Sequence, residues 1–95
     1  MTIEVKLMGR IVSYDPDLFN EKLVLKALLE NMARKNTRNP SQAGADLLEL
    51  IQETGRSRED VTHTLSRLKQ KNYVFLAGST YFLLDAGYEY AKRLS

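Results

Sequence analysis

The chain contains no cysteine, which excludes disulfides and thiolate metal sites. Its one histidine, His63, cannot make a zinc site without cysteine partners, even with Glu59 and Asp60 close by. No apolar run approaches the roughly 20 residues that a membrane span requires. There is no glycine-rich phosphate loop of the form G-x-x-x-x-G-K-[ST]. Met1 to Lys6 alternates charged with apolar residues and leads into no apolar block, so it does not read as a signal peptide. The carboxylates are scattered, mostly at helix starts and exposed faces, and they form no acid, base and nucleophile constellation. These absences lead to the expectation of a non-enzymatic protein with no cofactor, no metal and no membrane span. The cytoplasm is its simplest location.

What is present is one domain's worth of sequence, residues 1–95, with a modest core. The net charge is only +2, from 14 basic and 12 acidic residues, so distribution matters more than total. Arg56, Arg58, Arg67, Lys69 and Lys71 stand against Glu59 and Asp60 for a local +3, and Arg34, Lys35 and Arg38 add another +3. The remainder of the chain carries −4. A basic stripe on a nearly neutral domain is either a nucleic-acid footprint or an ordinary solvated helix face.

Local signals divide the chain into elements. Residues 1–14 form an N-terminal strand region: Ile3, Val5 and Leu7 alternate with polar residues, Gly9 interrupts, and Ile11, Val12 and Tyr14 either continue the strand or form a second one. Asp15-Pro16-Asp17 opens a first helix over 16–35, with Asp15 as cap and Pro16 at the first helical position. Leu18, Leu25, Leu28, Leu29 and Met32 share one face of it, and Phe19, Leu23 and Ala27 lie nearly opposite. A helix apolar on two sides is either central in the fold or half of a subunit contact. After a polar loop, Ser41 is expected to cap a second helix over 42–54, with Ala43, Leu47, Leu50 and Ile51 inward, and Gly55 ends it. Ser57 caps a third helix over 58–71, with Asp60 as an acidic capping-box partner and Val61, Leu65 and Leu68 inward. Asn72 closes that helix. Residues 73–84 read as a hairpin around a four-residue loop, Ala77-Gly78-Ser79-Thr80. Asp85 caps a last helix over 86–94.

Two helices joined by a short glycine-containing turn, the second one basic, form a helix-turn-helix. The major groove, about 12 Å wide, accepts one α-helix. The turn Thr54-Gly55-Arg56-Ser57 supplies the bend. Val61, Leu65 and Leu68 hold the third helix down, and Arg58, Thr62, His63, Ser66 and Arg67 are expected to face outward. The stretch from Leu50-Ile51 through Thr54-Gly55-Arg56-Ser57, Val61-Thr62-His63 and Leu65-Ser66-Arg67-Leu68-Lys69-Gln70-Lys71-Asn72-Tyr73-Val74 resembles the winged helix-turn-helix of MarR-like and PadR-like regulators. The likeness covers roughly residues 23–94. Asn72 stands where the family has Gly. Asp85-Ala86-Gly87 looks like the family's Thr-x-x-Gly helix start, one residue shorter. Thr54 replaces a usually aliphatic brace, and the expected hairpin loop carries no Arg or Lys for the minor groove.

The resemblance implies a mainly α, α+β winged helix-turn-helix: a three-helix core, a β-hairpin wing, an extra N-terminal strand and a C-terminal helix. It implies a transcription regulator that binds duplex DNA as a homodimer with residues 58–71 in the major groove. The DNA-binding set is then Arg56, Ser57, Arg58, Thr62, His63, Ser66, Arg67 and Lys69. Arg58 and Arg67 are the leading members, because a guanidinium grips guanine or phosphate through two bonds. Their alternative role is ion pairing to Glu59 or Asp60 or plain solvation, and that of His63 is plain exposure. Tyr88 and Tyr90 either pack or line a small-ligand pocket. The first helix, the N-terminal strand and the last helix are the candidate dimer elements. The competing expectation is a winged-helix protein-interaction module.

Overall fold

Asp15 opens the first helix by accepting hydrogen bonds from the backbone N–H groups of Asp17 and Leu18, which satisfies donors that have no partner within the helix. A computed structural model of the chain describes residues 3–7 and 10–94, those before Asp15 by backbone alone. Strands β1 (Ile3–Leu7) and β2 (Arg10–Tyr14) pair antiparallel as a separate two-stranded unit. Helix α1 (Pro16–Arg34) follows. A short 3-10 turn at Pro40–Gln42 leads into β3 (Ala45–Asp46), α2 (Leu47–Thr54) and α3 (Arg58–Gln70). Strands β4 (Val74–Ala77) and β5 (Thr80–Leu83) form a hairpin, and α4 (Asp85–Leu94) ends the described chain. The result is a mainly helical α+β fold, with four helices and a three-stranded antiparallel sheet ordered β3-β5-β4 among the described residues.

The core gathers Val24, Leu25, Leu28 and Met32 of α1, Leu50 of α2, Val61, Leu65 and Leu68 of α3, Val74 and Leu83 of the hairpin, and Ala91 of α4. Helix α1 packs against α2, α3, α4 and β5. Its centrality explains why it is apolar on two sides, and Ala27 on the second face is buried within the chain. The ends of the two expected stripes behave otherwise: Leu18 and Phe19, both in the first turn, are each 40% exposed.

The second helix starts later than the sequence reading placed it. Ala45 and Asp46 are extended, because they pair with Tyr81 and Thr80 of β5. The helix begins at Leu47 under a full capping box, in which Asp46 accepts from the Glu49 N–H and Glu49 reaches back to the Asp46 N–H. Ser41 caps nothing; its own N–H and hydroxyl donate to Asn39 in the 3-10 turn. The hairpin loop is also tighter than expected. Ala77 pairs with Thr80, leaving the two-residue turn Gly78-Ser79 with Gly78 at φ +64°, a conformation that glycine adopts without steric cost. At the last helix, the Leu84 carbonyl accepts the N–H of Tyr88 at 2.8 Å, so Asp85 lies inside the first turn instead of capping it. Gly87 lets α4 approach closely, since a Cβ there would collide with the Tyr73 carbonyl.

Candidate nucleic-acid interface

Helix α3 is positioned from both ends. Gly55 ends α2 in the left-handed region at φ +69° and donates its N–H to Ile51. Two residues later the Ser57 hydroxyl accepts from the Asp60 N–H at 3.1 Å. At the far end Asn72, at φ +61°, turns the chain out of the helix, and the Tyr73 N–H donates to the Leu68 carbonyl. The Thr54 hydroxyl donates to the Leu50 carbonyl at 2.7 Å, so the polar residue in the bracing helix is satisfied locally. The buried face of α3 is Val61, Thr64, Leu65 and Leu68, with the Thr64 hydroxyl bonded to the Asp60 carbonyl.

The basic residues on the remaining surface fall into two flanks. At about 100° per residue, Arg58, Thr62, Ser66 and Lys69 lie within about 80° of arc. All four are exposed, and neither Arg58 nor Lys69 has an ion-pair partner among the described residues. His63 and Arg67 point the other way, toward the start of α1. His63 Nε2 is 3.5 Å from Asp17 Oδ1. Arg67 Nη1 is 3.8 Å from Asp17 Oδ2, and its Nε is 3.7 Å from Glu21 Oε1. Lys71 Nζ donates to Glu21 Oε1 at 2.7 Å. Desolvation pushes the Asp17 carboxyl up, but hydrogen bonding to it and then the positive charge around it, Arg67 and His63 included, hold it below the usual carboxylate range.

Arg67 therefore pairs with the acidic start of α1, not with Glu59 or Asp60. Arg56 turns the same way, its guanidinium 4.9 Å over the Phe19 ring, a cation–π contact. Of the eight residues expected at the interface, Arg58, Thr62, Ser66 and Lys69 come together as one open strip. Ser57 caps the helix beside it, and Arg56, His63 and Arg67 face α1. The basic loop also has structural work: Arg34 pairs with Glu53 at 2.8 Å, and Lys35 Nζ donates to the Gly44 carbonyl.

Glu21 is the residue that sequence reasoning missed. Its side chain is only 1% exposed. A signal was available: positions 18, 21, 25, 28 and 32 follow the three-and-four spacing of a buried stripe, and a carboxylate in that stripe needs a cation. The paired hairpin carries Phe75 and Phe82 stacked at 5.1 Å, with Phe75 and Leu76 exposed. Tyr90 stacks on Tyr73 at 4.9 Å, while Tyr88 lines an open groove of about 580 Å³ with Leu29, Met32 and Arg38. Among the described residues, no group of three or more His, Asp or Glu side chains is placed to hold a metal, and no helix is long and apolar enough to cross a membrane. Compared with family models, curated proteins and solved structures, the chain matches none.

Proposed function

We propose that the chain is a winged helix-turn-helix module that binds duplex DNA, without chemistry of its own, by laying α3 into the major groove. The observation that carries this reading is the open strip Arg58, Thr62, Ser66 and Lys69. Among the described residues its two cations have no ion-pair partner and its two hydroxyls no hydrogen-bond partner, and the Val61, Thr64, Leu65 and Leu68 face of the same helix is anchored in the core. The order of helix, short strand, helix, helix and hairpin supports the same reading, with β4 and β5 as the wing. The wing turn Gly78-Ser79 carries no charge, so the binding energy falls on α3. A transcription regulator is the role such a module suits.

Titration with random duplex DNA across salt concentrations tests the proposal. The logarithm of affinity falls linearly with the logarithm of salt, with a slope near −0.9 for each phosphate neutralised. Combining Arg58→Ala with Lys69→Ala flattens that slope and weakens binding. No measurable affinity at low salt, or an unchanged slope in the double variant, refutes the groove model. A second reading, a protein-interaction module, draws on Phe75 and Leu76, both exposed on β4, one on each face of the strand. Under that reading, Phe75→Ser with Leu76→Ser abolishes function and the α3 variants do not.

A further inference from the structure

Two-stranded hairpins are at best marginally stable alone in water; a third strand or a packed face is needed. β1 and β2 pair with each other and join no other strand among the described residues. The outer edge of β1 pairs with no strand among the described residues, and an unpaired strand edge invites another strand. The register pairs Ile3 with Tyr14, Val5 with Val12 and Leu7 with Arg10, and cross-strand partners share a face. Ile3, Val5 and Leu7 therefore lie on one face of β1, and Glu4 and Lys6 on the other.

The sequence of β1, Ile-Glu-Val-Lys-Leu, is complementary to itself when reversed. Laid antiparallel on a second copy about a two-fold axis at Val5, it sets Glu4 opposite Lys6 of the other copy, Lys6 opposite Glu4, Ile3 opposite Leu7, and Val5 opposite Val5. Both charged pairs are of opposite sign, and every apolar residue meets an apolar one. Centring the axis on residue 4 sets Glu4 against Glu4, and centring it on residue 6 sets Lys6 against Lys6. β2, Arg-Ile-Val-Ser-Tyr, has no such property. A two-fold interface places one surface patch against itself, and this edge is built for that operation.

We infer that β1 is the homodimerisation edge, joining two copies into a four-stranded antiparallel sheet ordered β2-β1-β1-β2. The inference stands apart from the DNA reading, and its test uses no DNA. Sedimentation equilibrium of the full chain at micromolar concentration is expected to give twice the 10.9 kDa chain mass. Glu4→Lys alone and Lys6→Glu alone set like charges opposite each other twice, and each weakens association by at least about tenfold. Mixing these two variants, or combining both changes in one chain, restores the dimer. Because the chain has no cysteine, Val5→Cys supplies a single thiol on the axis. Directly opposed strand residues lie about 4.5–5.5 Å apart at Cα, within disulfide reach, so this variant cross-links on oxidation. Ile3→Cys does not, because its two copies are about 13 Å apart along the strands. A monomeric wild type, a dimer indifferent to both charge reversals, or reversals that fail to complement one another overturns the inference.

Discussion

On one flank of α3 stand Arg58, Thr62, Ser66 and Lys69; on the other stand His63 and Arg67, with Lys71 just beyond the last turn. Both flanks are basic in sequence, but the fold treats them differently. The second flank leans on Asp17 and Glu21 of α1, and its charge is largely spent on holding two helices together. The first flank has no ion-pair partner among the described residues, which is what the proposed DNA contact requires. Charge counted along a chain therefore overstates the charge offered to a partner, and the correction comes from an element some 50 residues away.

The largest expected effect lies on the tied flank. Among the described residues, Lys71→Met leaves the buried Glu21 carboxylate with Arg67 alone, at 3.7 Å, to balance it. Leaving a buried charge without its partner costs on the order of 3 kcal/mol, and the partial exposure of Lys71 puts this case at or below that figure. Urea denaturation at neutral pH measures it. A loss under about 0.5 kcal/mol, the range of an ordinary surface change, would show that the α1–α3 ion cluster is ornamental and that the two flanks do not differ in role.

The second effect compares arginines directly. Arg58→Ala is expected to cost about 1–3 kcal/mol of DNA affinity if the guanidinium reads a base. Arg67→Ala is expected to cost below about 1 kcal/mol, because its charge is already engaged by carboxylates. Equilibrium binding to one duplex at fixed salt ranks them, and the reverse order would move the contact face to the α1 side of the helix.

The elements legible in the sequence are those written in local chemistry: Asp15-Pro16 opening α1, Gly55 and Asn72 at positive φ, Ser57 capping α3, and the Val61, Leu65 and Leu68 stripe. What went astray depended on distant pairing. Ser41 looked like a cap, but Ala45 and Asp46 are claimed by β5. The true start, Asp46-x-x-Glu49, is itself a capping-box signature that the Ser41 reading obscured. The two-residue hairpin turn depends on the Ala77–Thr80 pair, which the residues of the turn alone do not specify. At the candidate site the cations were visible and their neutralisation was not, because nothing near Arg67 in sequence announces Asp17 and Glu21.

Gly55 bears on both flanks at once, since it sets the angle at which α3 leaves α2. A Cβ there would meet open space, so the cost of Gly55→Val is conformational: about 1–2 kcal/mol for a left-handed residue at φ +69°. For a chain of this size that corresponds to a melting temperature lower by roughly 5–10 °C. Gly55→Asn loses less, because asparagine tolerates the left-handed region. Equal melting of all three proteins would place the bend elsewhere.

The smallest effect is the most specific. Lys69 lies on the open flank as a flexible point charge, so its expected contact is a phosphate. Lys69→Gln then removes one neutralised phosphate, and the log–log salt slope falls in magnitude by about 0.9. At 0.15 M salt this weakens binding only about fivefold, equally for every DNA sequence. Arg67→Gln, two residues away, is expected to change the slope by much less, because Asp17 and Glu21 already occupy that cation. Fluorescence anisotropy with a labelled duplex over a range of potassium chloride concentrations yields both slopes. Parallel slopes for the two variants would erase the distinction between the flanks, and a sequence-dependent loss in Lys69→Gln would make Lys69 a base reader instead of a phosphate contact.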